Sequence, residues 1–134
     1  MTTFTFELVS PEKLLTSKPV TMVTVPGGEG DYGVLAGHAP MITTLRPGVI
    51  ALYENDDTTI TERLFVAGGF VEVTAERCTI LAEEAIAVSD LNRADIETQT
   101  KALNDNLAAA QNDSERADIE SQIEVLRAKL NAVA

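Results

Sequence analysis

Hydrophobic and polar residues alternate over the first two thirds of the chain. The first such run places Phe4, Phe6 and Leu8 on one face, the period of two that a strand with one buried face requires. Turn signals separate this run from several later ones, at Ser10-Pro11, Pro26-Gly27-Gly28, Arg46-Pro47-Gly48, Asn55-Asp56-Asp57 and Gly68-Gly69. No helical pattern between these runs is long enough to connect parallel strands. The pattern therefore predicts an antiparallel β-sandwich or flattened barrel.

Beyond Asp90, glycine and proline are absent and the hydrophobic period becomes that of a helix. The two predicted apolar stripes are Ile96, Leu103, Leu107 and Ala110, then Ile119, Ile123, Leu126, Leu130 and Val133. Between the stripes, Asn112 and Glu115 have capping-box spacing. Because a short connection makes neighbouring helices antiparallel, we expect a two-helix hairpin. The expected domains are a sandwich at residues 1–88 and a hairpin at residues 89–134.

The predicted hairpin is weakly apolar. Both stripes are narrow and rich in alanine, and at roughly 25 cal/mol per Å² of buried apolar surface two such helices alone are marginally stable. We therefore expect the hairpin to pack on the sandwich or on another protein, and to be able to detach from it.

Charge narrows the classes of partner. The formal net charge is −11, from 21 acidic and 10 basic residues, which disfavours nucleic acid and anionic membrane surfaces and favours a protein partner. No run approaches the roughly 20 apolar residues needed for direct membrane insertion, and the first residues lack the pattern of a signal peptide. The sequence thus indicates a cytoplasmic chain, and Cys78 is expected to be a buried, reduced thiol.

The sequence offers little for catalysis. One histidine, His38, and one cysteine cannot make a metal site, and no nucleotide-binding loop ends the glycine-rich run. We expect no metal, no cofactor and no enzymatic activity. The competing hypothesis is an enzyme that pairs His38 with Asp31, which predicts a concave apolar pocket around His38. The Glu83-Glu84 and Asp56-Asp57 pairs are interpreted as solvated charges, and Gly68-Gly69 as a bulge or a place where another chain comes close.

Several motifs in one order are similar to a known family. Residues 25–40, continuing through Leu45-Arg46-Pro47-Gly48, resemble the signature of the epsilon subunits of bacterial F-type ATP synthases. Residues 6–12, 66–73 and 80–85 add to the resemblance, which covers residues 4–90. The helical tail resembles the family more in architecture than in sequence.

The resemblance implies a non-catalytic rotor subunit of the central stalk. Members of the family have a β-sandwich and a helical hairpin, and link the gamma subunit to the c-ring, coupling proton transport to ATP synthesis. By resemblance Asp31 and His38 face the c-ring, while Gly68, Gly69 and Phe70 face gamma. The implied location is peripheral, at the cytoplasmic face of the bacterial inner membrane. An adapter of another multiprotein complex is the alternative.

The tail departs from the nucleotide motif of the family, Ile/Leu-Asp-x-x-Arg-Ala. Asn92 stands at the position of Asp, and Asp95 at that of Arg. Sliding the register by one keeps Asp90 and Arg93, but puts Ser89 at the apolar position. Since an acidic residue repels phosphate, we expect no ATP binding.

Inhibition of ATP hydrolysis by the hairpin is also disfavoured. Residues 91–134 contain five basic and eight acidic residues, a net charge of −3, which reduces attraction to acidic surfaces of the alpha and beta catalytic subunits. Arg127 and Lys129 are the candidate inhibitory contacts, although complementing the helix dipole is the commoner role of such residues. The sequence leaves open the conformation of the hairpin, whether it inhibits, the coupling ion and the ring stoichiometry.

Overall fold

The computed structural model describes residues 2–133 and contains a sheet followed by two long helices. The eight strands are β1 (Phe4–Val9), β2 (Leu14–Val20), β3 (Met22–Gly27), β4 (Gly30–Leu35), β5 (Met41–Thr44), β6 (Gly48–Tyr53), β7 (Glu62–Val73) and β8 (Arg77–Ala87). A short 3₁₀ turn at Val88–Asp90 leads to α1 (Arg93–Ala108) and α2 (Asp113–Val133). The sandwich followed by a helical hairpin is confirmed.

The strands form one sheet in the order β2-β1-β8-β7-β6-β3-β4, and β5 also pairs with β7. Because β2 and β4 are edges, the sheet does not close into a barrel. The pairing of β1 with β8 is parallel, whereas the other pairings in the described part of the chain are antiparallel. A parallel pair needs a long crossover, and here the strands β2 to β7 provide it.

The main hydrophobic core lies inside the β-sandwich. Phe4, Phe6 and Leu8 are buried, and the residues between them are half-buried, as the alternation predicts. Seven strands contribute its largest fully buried side chains, among them Phe6, Val23, Ile50, Val66 and Ile80.

A second, smaller core lies between the sheet and α2. Four consecutive residues of β7, Leu64 to Ala67, are buried. Leu64 and Val66 belong to the main core, whereas Phe65 and Ala67 pack with Ala132 of α2. The hairpin therefore leans on the sandwich through the C-terminal part of α2.

Both helices of the hairpin are capped by asparagine side chains, of which the sequence predicted the one at Asn112. The side chain of Asn92 accepts a hydrogen bond from the Asp95 amide at 3.1 Å, and that of Asn112 accepts one from the Glu115 amide at 2.8 Å. Ile119, Ile123 and Leu126 are buried as expected. Towards the C-terminus the buried position is Ala132 rather than Leu130 or Val133, which are only half-buried, because the helix there packs on the sheet.

The bulge expected at Gly68-Gly69 is absent. Ala67 opposes Glu84 and Gly69 opposes Ala82, so the register is the same on both sides and no residue is inserted. Both glycines have positive φ, +73° and +106°. A Cβ on Gly69 would overlap the carbonyl oxygen of Leu81. The chain that comes close to these glycines is β8 of the same molecule.

Candidate docking site at the hairpin tip

The glycine-rich run forms the tip of the β3–β4 hairpin. Gly27 pairs with Gly30, and Gly28 and Glu29 make the two-residue turn. Gly30 has a φ of +144°, which side chains disfavour. A Cβ on Gly28 would lie 2.6 Å from Oγ1 of Thr44. Small residues thus allow the tip to pack against the end of β5.

The segment that connects β5 to β6 holds the tip in place. The Gly28 amide donates to the Thr44 carbonyl, and the Arg46 amide to the Pro26 carbonyl, both at 3.0 Å. The guanidinium of Arg46 donates to the Gly27 carbonyl at 2.9 Å and is ion-paired with the carboxylate of Asp31. The side chain of Asp31 is nevertheless 69% exposed.

Arg46 is a candidate functional residue that the sequence patterns did not single out. The sequence does contain a hint of its role. Arg46 is the only lysine or arginine between Lys18 and Arg63, and the acidic residues Glu29 and Asp31 lie upstream. Only the fold shows that β5 brings it to the hairpin tip.

His38 lies beside the tip but is not paired with Asp31. Its ring Nδ1 lies 2.7 Å from the carbonyl oxygen of Ala39. The ring borders an open depression of about 530 Å³, lined by Gly27, Gly28, Glu29, Gly30, Tyr32, His38, Met41, Ile42, Thr43 and Thr44. Asp31 is absent from this lining because the next residue, Tyr32, faces that side and is hydrogen-bonded to Thr43. The acid–base pair required by the enzyme hypothesis is therefore not formed.

A row of apolar side chains crosses the outer face of the sheet. Leu14 opposes Val9, Val9 opposes Leu81, and Leu81 opposes Phe70. Ile42 lies diagonally from Phe70 on β5. We call these five residues the outer-face row. Ile42 is 69% exposed, Leu14 53% and Phe70 43%, so the row is an uncovered apolar surface rather than part of a core.

The two candidate inhibitory residues have different surroundings. The ammonium of Lys129 is ion-paired with Glu84 and lies 5.7 Å from the ring centroid of Phe65, and its side chain is only 16% exposed. Arg127 is exposed and makes no ion pair with any described residue. The interpretation of Glu84 as a solvated charge is wrong, since it is half-buried and joins the sheet to α2.

The residues of the degenerate nucleotide motif have local structural roles. Asn92 caps α1, and the side chain of Arg93 is paired with Glu97 at 3.2 Å, one turn further along. Asp95 supplies the capped amide, and Asp90 ends the 3₁₀ turn.

Within residues 2–133, no cluster of acidic, histidine and cysteine side chains could hold a metal ion. None of the helices in this range is both long and apolar enough to cross a bilayer. Burial raises the pKa of the Cys78 thiol to about 12, which suppresses the reactive thiolate.

Comparison with known proteins identifies the family. Residues 3–88 match the family model described as ATP synthase, Delta/Epsilon chain, beta-sandwich domain. The ATP synthase epsilon chain of Rhodospirillum centenum is 52% identical over 132 residues, covering 96% of this chain and 90% of that protein. That of Paramagnetospirillum magneticum is 56% identical over 106 residues, covering 79% and 78%.

The fold also matches solved structures. A chain of the Euglena gracilis mitochondrial ATP synthase, in a structure of OSCP, F1 and c-ring, superposes with a TM-score of 0.85 at 20% identity, covering 98% of this chain and 82% of that one. A chain from the central stalk and c-ring of the Tetrahymena thermophila mitochondrial ATP synthase gives a TM-score of 0.68 at 13% identity, covering 98% and 96%. At these identities the likeness concerns the fold, whereas the sequence matches show that the chain belongs to the ATP synthase epsilon chain family.

Proposed function

We propose that this chain is a non-catalytic rotor subunit of a proton-translocating F-type ATP synthase, and that it links the gamma subunit to the c-ring at the cytoplasmic face of the bacterial inner membrane. The observation that carries the proposal is the arrangement of two different surfaces on one continuous sheet. The polar hairpin tip and the apolar outer-face row meet at β5, where Ile42 belongs to both the depression and the row.

The hairpin tip suits the c-ring side. Its backbone is accessible through glycines, and the exposed Asp31 and the half-buried His38 lie on either side of it. A contact of this kind depends on shape and a few polar groups, and needs no catalytic residue. Asp31 and His38 are therefore the proposed contacts to the polar loops of the ring.

The outer-face row suits the gamma side. Contiguous exposed apolar side chains on a sheet mark a surface that a partner covers. Phe70 is the only aromatic residue of this row, while Gly68 and Gly69 are needed for close contact with Glu83 and Leu81 of β8. Of the three residues proposed for gamma, Phe70 therefore supplies the contact and the glycines shape the strand.

The sheet is built to transmit force between these surfaces. All eight strands belong to one hydrogen-bonded sheet, and tightly packed interiors have low compressibility. Rotation of the ring would thus pass to gamma through the core, while ATP is made at catalytic sites in other subunits.

Contacts with the alpha and beta subunits are assigned to the helical hairpin. Arg127 is available in the docked arrangement, whereas Lys129 becomes available only when its pair with Glu84 breaks. Inhibition through both residues therefore requires α2 to leave the sheet.

Binding to a purified complex of gamma and c-ring tests the proposal. We expect Asp31→Arg and His38→Glu to weaken docking to the ring, and Phe70→Asp to weaken binding to gamma, each without loss of folding. Asp57→Arg and Ile60→Asp are matched controls, because Asp57 is exposed and Ile60, at 46% exposure, lies outside the row. Normal assembly and coupled proton pumping in both tip variants would refute the assignment, and an adapter of another complex would bind neither gamma nor the ring.

A further inference from the structure

We propose that Arg46 is the positioning residue of the docking site: it fixes the hairpin tip and orients the Asp31 carboxylate toward the partner. The inference rests on the proposed function for the identity of that partner. It concerns a residue that contributes through its neighbours, although its own side chain is 43% exposed.

The tip has few side chains with which to stabilise itself. Glycine occupies four of the seven positions from Gly27 to Gly33, and glycine loses more conformational freedom on folding than any other residue. The β4 strand is an edge of the sheet, so only β3 pairs with it. The tip is therefore ordered by bonds from outside the β3–β4 hairpin, and the backbone supplies one of them, from the Gly28 amide to the Thr44 carbonyl.

The side chain of Arg46 adds bonds to both strands. Nη1 donates to the carbonyl of Gly27, the last residue of β3, at 2.9 Å, while Nη2 pairs with Oδ1 of Asp31 in β4. A planar guanidinium has several donors in fixed directions, and a lysine ammonium does not reproduce this fork. One side chain thus ties β3 to β4 next to the turn.

The Arg46 backbone is itself well anchored. Its amide donates to the Pro26 carbonyl at 3.0 Å, and the preceding Leu45 amide donates to the Gly69 carbonyl at 3.1 Å. The guanidinium is therefore held relative to β3 and to the central strand β7. These bonds fix the tip relative to the core of the sheet rather than relative to another loop.

The ion pair with Arg46 also determines which carboxylate oxygen of Asp31 is available to a partner. Arg46 engages Oδ1, and Oδ2 makes no hydrogen bond to any other described residue. Because the carboxylate is 69% exposed, Oδ2 remains available to a hydrogen-bond donor. The geometry fits a polar partner loop that presents a donor, with Arg46 fixing the direction of approach.

Amide hydrogen exchange in the isolated full-length chain tests the positioning step without any partner. We expect Arg46→Gln to speed exchange in residues 28–31 about ten-fold, and Arg46→Lys to have an intermediate effect. Arg77→Gln is the matched control, because Arg77 is also paired with a carboxylate of the sheet, Glu7, but lies away from the tip. If residues 28–31 exchange at the same rate in Arg46→Gln as in the control, the proposal is overturned. If Arg46→Gln fails to fold, the same comparison is made with Arg46→Lys, and equal rates again overturn the proposal.

Binding to the gamma and c-ring complex tests the consequence for docking. We expect Arg46→Gln to weaken binding about ten-fold. The double variant with Asp31→Asn should bind as well as whichever single variant has the lower affinity, because both residues act through one contact. Simple addition of the two effects, or faster exchange with unchanged binding, overturns the docking role. Failure of the unsubstituted chain to bind would instead refute the proposed function, while the exchange experiment still reports whether Arg46 orders the tip.

Discussion

The ammonium of Lys129 on α2 is ion-paired with the carboxylate of Glu84 on β8, and this contact joins the helical hairpin to the sheet. Lys129 also lies over the ring of Phe65. A short distance along α2, the guanidinium of Arg63 donates to the Ala132 carbonyl at 3.5 Å. These polar contacts surround the small apolar core beneath α2.

Lys129→Gln should loosen the docking of α2. The ion pair and the cation–π contact together contribute about 1 kcal/mol, so local opening should become about five-fold more frequent. Amide hydrogen exchange in residues 119–132 measures this opening. Arg127→Gln, which removes a charge from the same helix without breaking an ion pair, is the control, and equal exchange in the two variants would contradict the prediction.

Gly69→Ala should destabilise the sheet strongly. The new Cβ would overlap the Leu81 carbonyl oxygen at a φ of +106°, and we expect the free energy of unfolding to fall by about 3 kcal/mol. Urea denaturation measures this loss.

Gly37→Ala is the matched comparison. Gly37 has a φ of +81°, but no other atom lies within 4 Å of an added Cβ. The cost there should be about 1 kcal/mol, from backbone strain alone. Similar losses at the two positions would show that overlap with Leu81 is not the cause.

Cys78 should resist alkylation in the folded protein. Burial raises the pKa of its thiol from 9.0 to about 12, so at pH 8 the folded chain should react with iodoacetamide far more slowly than the unfolded chain. Mass spectrometry with and without urea measures the difference, and equal rates would contradict it.

The same pKa shift predicts a loss of stability in alkali. The unfolded thiol ionises above pH 9, while the folded thiol keeps its proton until about pH 12. Between these values the unfolded state binds fewer protons, and the free energy of unfolding should fall by about 1.4 kcal/mol per pH unit. Cys78→Ala lacks this contribution, so the pH dependence of unfolding in the two proteins should differ over that range.

Removal of the residues after Asp90 should not raise ATP hydrolysis by the assembled enzyme. The removed segment carries a net charge of −3, which weakens its attraction to acidic catalytic subunits. The truncation uncovers Phe65, which is fully buried under α2. A truncated chain with Phe65→Thr therefore serves as a second variant with a less apolar surface. A faster rate in both would restore an inhibitory role for the hairpin.

Local patterns predicted the elements well because each pattern has a direct physical cause. Alternation at Phe4, Phe6 and Leu8 requires a strand with one buried face. Asn92 and Asn112 cap helices because their side chains accept hydrogen bonds from nearby amides. These features depend on residues close together along the chain.

The failures all involve contacts between distant residues. The parallel pairing of β1 with β8 joins residues more than 70 positions apart, such as Thr5 and Arg77. Phe65 has the opposite parity to the main core and is buried only because α2 covers it. The roles of Arg46 and Glu84 likewise depend on partners that spacing alone does not identify.

The helix α2 is attached to the sheet at only one of its ends. Its contacts with the small core are at Val125, Ala128 and Ala132, near the end of the helix. The turn that joins the two helices lies more than ten residues away, or roughly 20 Å along the axis. A force applied at that turn therefore acts far from the contacts that hold α2 on the sheet, and the helix multiplies it into a torque on those contacts.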